Sequence, residues 1–196
     1  MTHADYFSLG NRNEAFTSIS LYVARFAEYQ RVIINHIYQV KLHHWDETIR
    51  VLASKALYEL SPLDPQYIID VVLPFLLRSS LDPNDVIVRH GSILGLAEAI
   101  ASLGHHAVES ILPTHLLKDI AETVPAIEKK RLYRGRGGEM IRGAVCRLIS
   151  CICISKIPML SKQQVKIFEA AAATCAMRNT SADNTFFFLS VLRYDS

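Results

Sequence analysis

Apolar residues recur along most of the chain with the three- and four-residue spacing that is typical of helices. In residues 45–60 they follow the order i, i+3, i+4, i+7, i+8 and i+11, which places them on one face of a helix. The same pattern returns in 139–153 and, more loosely, in 86–103. No convincing run alternates apolar and polar residues, so the pattern predicts an all-α protein.

Further helices fit between and around these three. Residues 65–80 are apolar nearly all round, which is typical of a helix that is packed on several sides. Pro113 stands near the start of another helix, and Pro125 is expected to end or kink it. The complete set of predicted helices is 13–26, 30–40, 45–60, 65–80, 86–103, 113–124, 139–153 and 161–179.

A short motif recurs at the start of three of these helices. DETIR (46–50), DVIVR (85–89) and EMIR (139–142) each place an acid three or four residues before an arginine. The first two arginines are 39 residues apart, close to the helix-pair period of HEAT-like repeats, and the third follows after 53. We therefore predict an α-solenoid of HEAT-like antiparallel helix pairs. Its approximate units are 13–42, 45–80, 85–124 and 139–179, with an inserted basic connection at about 125–138.

The acids and arginines of this motif are expected to form a ladder between neighbouring repeats. An acid at a helix start interacts favourably with the positive end of the helix dipole. An arginine one turn later can pair with that acid or reach the acid of the next repeat. The ladder residues are Asp46, Arg50, Asp85, Arg89, Glu139 and Arg142.

The formal net charge of +2 hides an uneven distribution of charge. Residues 1–127 hold nine Lys/Arg and fourteen Asp/Glu, whereas residues 128–196 hold twelve and five. A basic C-terminal third has the sign to meet an acidic partner, although a solvated positive face would show the same composition. The cations are densest just before the predicted helix start at 139, which makes them a candidate site for an anion or an acidic protein surface. They are Lys129, Lys130, Arg131, Arg134 and Arg136.

The glycine-rich stretch YRGRGGEM (133–140) has the wrong spacing for a nucleotide-binding loop. As an RGG element it is a single copy joined to a helix, whereas RNA-binding segments of this kind are longer and disordered. The glycines fit a tight turn into the following helix. An RNA-binding helical module that uses 129–136 stays an alternative, and we predict no nucleic-acid partner.

Other chemistry has little support in the sequence. The four cysteines lack Cys-x-x-Cys spacing and are expected to be buried, reduced thiols. No G-x-S-x-G motif occurs, and the carboxylates are spread along helix starts instead of clustering. No signal peptide opens the chain, and no stretch reaches about 20 mostly apolar residues. We predict a binding scaffold without catalytic residues, metal, cofactor or membrane span.

Several segments resemble a known family, in order and over nearly the whole chain. DYFSLGNR, LYVARFAEY, HHWDETIRVLASKALYEL, VRHGSILGLAEAIASL and YRGRGGEMIRGAVCRLIS are similar to the central to C-terminal HEAT region of tubulin-folding cofactor D. The most specific pieces are HWDETIR with the helix after it, RHGSILGLAE and RGRGGE. The full cofactor is several times longer, so the resemblance implies a fragment or a short form.

The resemblance implies a tubulin-folding chaperone scaffold. Members of this family capture β-tubulin, join cofactor E carrying α-tubulin and then cofactor C, and work with an Arf-like small GTPase. The assembled complex stimulates GTP hydrolysis by tubulin, and the arginine finger is credited to cofactor C, so no catalytic residue is implied here. The implied location is the cytoplasm and the microtubule cytoskeleton, including the centrosome and cell junctions. Tubulin is acidic, which fits the basic C-terminal third. A generic HEAT adaptor with another cargo is the alternative.

Overall fold

Every regular element in the part of the chain that the structure describes is a helix. The computed structural model describes residues 12–104, 112–133, 137–158, 164–168 and 170. Seven longer helices in these ranges carry the fold, and 164–168 and 170 are also helical. They are α1 (12–24), α2 (27–41), α3 (Glu47–Leu60), α4 (65–79), α5 (Val86–Gly104), α6 (Thr114–Lys129) and α7 (Gly138–Ile154). The all-α prediction is confirmed.

Aspartates begin three of these helices. Asp46 accepts a hydrogen bond from Thr48 N at 2.9 Å at the start of α3. Asp64 accepts a hydrogen bond from Tyr67 N at 3.2 Å at the start of α4. Asp85 accepts two at the start of α5, from Ile87 N at 2.7 Å and from Val88 N at 3.1 Å. Each carboxylate satisfies backbone N–H groups that have no partner inside the helix, which is worth about 1 kcal/mol per cap.

Three helices contain a π-helical stretch that the hydrophobic pattern did not predict. The stretches are Ala15–Ile19 in α1, Ile37–Lys41 in α2 and Ile68–Val72 in α4. A π turn shifts the following residues around the helix axis relative to an ideal α-helix. The faces that α1, α2 and α4 present after these turns therefore differ from the faces that a regular spacing would give.

Helix α5 lies at the centre of the stack. It packs against α3 on one side and α7 on the other, and α4 also contacts it. Successive first helices of the pairs therefore lie side by side, as in an α-solenoid, and one continuous apolar core extends from Phe16 to Phe168. By length and composition alone α5 is apolar enough to cross a membrane. However, 72% of its apolar window is buried inside the protein, as in the core helix of a stack.

The end of α2 touches α5 through a glycine. A Cβ placed on Gly91 would lie 1.6 Å from the carbonyl oxygen of Leu42, far inside any allowed contact. Only glycine therefore lets these two backbones approach so closely.

The prediction that a helix ends near residue 124 is wrong. Helix α6 continues through Pro125 to Lys129. Pro125 removes one backbone hydrogen bond from the helix, at a cost of about 3 kcal/mol. The buried positions Ile120, Val124 and Ile127 continue the same apolar face across the proline, and this packing keeps the segment helical.

Candidate partner-binding surface

The described cations of the predicted basic connection lie where helix α6 ends. Lys129, Lys130 and Arg131 are all exposed. Positive charges are favourable at this end of a helix because the backbone carbonyls there carry partial negative charge. Arg134 and Arg136 lie outside the described residues. The described part of the connection therefore presents three cations to solvent.

The turn that carries these cations has a defined geometry. Leu132 N donates to Ile127 O at 3.1 Å, and Arg131 N donates to Glu128 O at 2.9 Å. These two bonds form a Schellman motif, in which the residue after the cap takes the left-handed conformation. Arg131 occupies that position with φ of 53°, where glycine is usual. The motif fixes where the cationic turn leaves the helix.

Tyr133, which follows this turn, lies against the first turn of α7. Gly137 has φ of 79°, and a Cβ on the buried Gly138 would lie 2.0 Å from the carbonyl oxygen of Tyr133. The two glycines therefore allow a tight entry into α7, as the sequence indicated. Whether the cations before it form an anion site stays a prediction.

A groove with a volume of about 430 Å³ lies between helices α4 and α6. Its more buried lining is mainly apolar, whereas its exposed lining residues include charged side chains from both helices. The apolar lining consists of Pro74, Leu77, Leu81, Leu116 and Ala126, and the polar lining of Arg78, His115, Asp119, Glu122 and Thr123. The groove thus offers an apolar floor with charged rims.

The groove and the cationic turn share one face of α6. Asp119, Glu122 and Ala126 line the groove at intervals of three and four residues. Lys129 and Lys130 follow at the same spacing, so they lie on the same side of the helix, one turn beyond the groove. A partner that covers this face meets two carboxylates first and then the cations.

A second exposed apolar area lies on α1 and α2. Its residues are large, and each has about half or more of its surface exposed. Two of the rings meet edge to face with centroids 5.9 Å apart. The area consists of Ile19, Tyr22, Phe26, Tyr29 and Val32. Phe16 of the same helix is fully buried, whereas Ile19 is exposed.

The ladder arginines bind the loops before their own helices. Arg50 is 1% exposed, and its Nη1 donates to the carbonyl oxygens of His44 at 2.8 Å and Trp45 at 2.9 Å. Arg89 Nη1 donates to the carbonyl of Asp82. Arg142 Nη1 lies 3.5 Å from the carbonyl oxygen of Tyr133, at the limit of a hydrogen bond. Each arginine thus contacts a backbone carbonyl of the preceding loop and holds that loop against the first turn of the helix.

The ladder acids lie at helix starts, where Asp46 and Asp85 attract the charge of Arg50, and Asp85 also attracts that of Arg89. Asp46 and Asp85 cap α3 and α5 with their carboxylates, as the dipole argument expected for an acid at a helix start. Glu139 is exposed in the first turn of α7. The pairing of each arginine with an acid, as expected from the spacing, stays a prediction.

Arg50 also joins three successive repeats. Its Nε donates to His90 Nδ1 of α5 at 2.9 Å, and its Nη2 lies 3.5 Å from Met140 Sδ of α7. His90 is 3% exposed, and its Nε2 lies 4.0 Å from a carboxylate oxygen of Glu47. Burial, and then the charge of Arg50, lowers the pKa of His90 from 6.5 to about 4. The imidazole is therefore neutral at physiological pH, and its Nδ1 accepts the hydrogen bond that Arg50 Nε donates.

Glu98 and Arg147 form an ion pair between α5 and α7 that the sequence analysis missed. Arg147 Nε lies 2.8 Å from Glu98 Oε1, and Nη2 lies 3.1 Å from Oε2. This two-point geometry orients both side chains. Glu98 is a lone acid in an apolar stretch of α5, and a buried acid requires a partner, which is the signal that could have found this pair.

The cysteines give little support to nucleophilic chemistry. Cys151 and Cys153 are free, and burial raises their pKa values to about 12 and about 11, which keeps both thiols protonated at neutral pH. The expectation of reduced thiols is wrong for Cys146, which is disulfide-bonded. Across the described residues, no group of three or more His, Cys, Asp or Glu side chains is arranged to hold a metal ion.

Comparison with known proteins shows a similarity to a curated chaperone. No family model matches the chain, and no solved structure matches it. A curated protein from Dictyostelium discoideum named tubulin-specific chaperone D is 32% identical to the chain over 156 residues. The match covers 79% of this chain and 10% of that relative, so the chain spans about a tenth of the relative's length.

Proposed function

Because the chain belongs to the tubulin-folding cofactor D family, we propose that it is a tubulin-binding segment of a folding scaffold. The observation that carries this proposal is the 32% identity with tubulin-specific chaperone D along 79% of the chain. The architecture agrees with it, since stacked helix pairs present extended surfaces that suit large protein partners. The proposed partner is β-tubulin.

The cationic turn after α6 is the proposed contact with tubulin. Lys129, Lys130 and Arg131 are exposed there, and Arg134 and Arg136 follow within five residues. Tubulin is acidic, so opposite charges would speed its approach and fix its orientation. The carboxylates of Asp119 and Glu122 lie on the same face of α6 and would repel an acidic partner. The proposed contact with tubulin is therefore confined to the end of the helix.

The role that we propose is that of a chaperone without a catalytic residue of its own. The chain would take part in assembly of the α/β-tubulin heterodimer together with cofactors C and E and an Arf-like small GTPase. Within that complex it would contribute to GTPase activation of tubulin. Its place would be the cytoplasm and the microtubule cytoskeleton, including the centrosome and cell junctions.

Charge reversal at the cationic turn tests this proposal. We expect the variants Lys129→Glu/Lys130→Glu and Arg134→Glu/Arg136→Glu each to capture β-tubulin about tenfold more weakly, since two attractions become repulsions. The assay is capture of radiolabelled β-tubulin, made by translation in vitro, at increasing concentrations of the chain. Circular dichroism checks that the helix content stays unchanged.

A matched control carries the same change in net charge elsewhere. Lys55 and Lys166 are exposed on other helices, and Lys55→Glu/Lys166→Glu is expected to bind β-tubulin normally. If the control weakens binding as much as the test variants, the effect comes from net charge and the contact is misplaced. If neither the chain nor a longer protein that contains it captures β-tubulin, another cargo is favoured. Steeply salt-dependent binding to RNA instead would favour the RNA-binding alternative.

A further inference from the structure

The groove between α4 and α6 has the properties of a helix-binding site. Its volume of about 430 Å³ falls in the range of about 300–1,000 Å³ that is typical of ligand sites. Leu77, Leu81 and Leu116 supply apolar lining from both helices. We propose that this groove binds an amphipathic helical segment of a protein partner whose apolar stripe is flanked by basic residues.

The length of the groove fits a helix better than a single side chain. Its lining on α6 extends from His115 to Ala126, which is about three helical turns. An amphipathic helix presents apolar side chains at i, i+3, i+4, i+7, i+8 and i+11 over the same distance, and this is a common way in which helical grooves bind peptides.

The charge of the partner follows from the rim on α6. Asp119 and Glu122 are exposed beside the groove, and neither carboxylate has an ion pair with another described residue. On the opposite rim, the guanidinium of Arg78 lies over the ring of Phe75, with 5.8 Å from Cζ to the ring centroid. The charged lining residues that α6 contributes are therefore the two carboxylates Asp119 and Glu122, and lysine or arginine residues of the partner would complement them on this rim.

This occupant differs from the acidic partner proposed for the cationic turn. Lys129 and Lys130 begin one turn beyond the groove, so the basic residues of the helix must face Asp119 and Glu122, not the end of α6. The two surfaces can therefore be tested by separate variants. If the chain does not bind tubulin, the groove proposal is unaffected. If the groove does not bind the peptides, the tubulin proposal is unaffected.

Two designed peptides test the charge preference. Both are fluorescein-labelled amphipathic helices of 15 residues with leucine on one face. One carries lysine on its flanks, and the other carries glutamate at the same positions. Fluorescence anisotropy with the full chain should show about tenfold tighter binding of the lysine peptide. Equal binding of the two peptides, or no binding of the lysine peptide, overturns the proposal.

Reversal of the rim should reverse the preference. We expect Asp119→Lys/Glu122→Lys to bind the glutamate peptide more tightly than the lysine peptide, which a loss of folding cannot produce. The control Glu28→Lys/Glu59→Lys changes two exposed acids on other helices and should keep the original preference. If this control also inverts the preference, the selectivity reflects net charge and the groove is not the site.

Filling the groove tests its apolar floor. Ala126 is half-buried in the lining, and Ala126→Trp would occupy the space that the partner's leucines need. With helix content unchanged by circular dichroism, this variant should lose at least tenfold in affinity for the lysine peptide. Unchanged affinity in a folded Ala126→Trp variant would show that the peptide binds elsewhere.

Discussion

Acidification should destabilise the protein through His90. This imidazole is 3% exposed, and its Nδ1 accepts the hydrogen bond from Arg50 Nε at 2.9 Å. Protonation would turn the acceptor into a donor and place a second positive charge beside the guanidinium. Glu47, with its carboxylate oxygen 4.0 Å from Nε2, is 55% exposed and compensates only in part. The buried hydrogen bond between Arg50 and His90 therefore requires a neutral imidazole.

The magnitude follows from the depressed pKa of His90. The pKa falls from 6.5 in the unfolded chain to about 4 in the folded chain. Because the unfolded chain takes up the proton first, this contribution to stability is complete above pH 6.5 and declines as the pH falls towards 4. Relative to pH 7.5, the free energy of unfolding should drop by about 1.4 kcal/mol at pH 5.5 and by about 2 kcal/mol at pH 5.

Urea denaturation from pH 7.5 to 5 measures this effect by comparing the wild type with His90→Asn. An asparagine oxygen can accept from Arg50 but does not titrate, so this variant should lose about 2 kcal/mol of the pH dependence. His36, His43 and His44 also have pKa values lowered by burial, and they titrate in both proteins. The difference between the two curves therefore isolates His90. The same pH dependence in both proteins would refute the reasoning. The variant His115→Asn is the control, because it replaces an exposed histidine in the same way.

Two glycines and one arginine give further predictions for the free energy of unfolding, measured by urea denaturation at neutral pH. Gly91→Ala should cost at least about 3 kcal/mol, because its Cβ would lie 1.6 Å from the Leu42 carbonyl oxygen; a smaller loss would mean that α2 and α5 separate easily. Gly143→Ala is the matched change in α7, where a Cβ meets nothing within 4 Å, and should stabilise by about 0.5–1 kcal/mol. Arg131→Gly should also stabilise, by about 1 kcal/mol, since φ of 53° suits glycine. A destabilised Arg131→Gly would show that the arginine side chain contributes more than its backbone strain costs.

The helices were predictable because their information is local. Residues 45–60 carry an apolar stripe with the helical period, and Glu47–Leu60 is the helix that forms. An aspartate before the stripe caps the helix through an amide two residues away, so Asp46 acts within a single turn. The prediction that α6 ends at Pro125 was wrong for the opposite reason. Buried contacts with distant residues outweigh the local cost of a proline in the helix.

The candidate surfaces were only partly predictable. The density of lysine and arginine around residue 130 follows from the sequence, but the Schellman turn that presents these cations requires coordinates. The groove is formed by α4 and α6, which are separated by the whole of α5, so no local pattern brings Leu77 and Leu116 together. The ring of Phe26 is exposed because α1 ends at Ala24 and the backbone of Phe26 is extended, so this residue no longer follows the face of α1.

By itself, the sequence determined the helical periodicity and the acids at helix starts, because each depends on residues within one or two turns, and it shows the spacing of the repeated motif and the uneven charge directly. The tertiary structure decided the partners of the buried polar groups. Arg50 donates hydrogen bonds to two backbone carbonyls and to His90 and lies beside Met140, and no local pattern indicates these neighbours. Spacing along one helix places an arginine on a face, but only the stacking of three repeats determines which atoms lie opposite it.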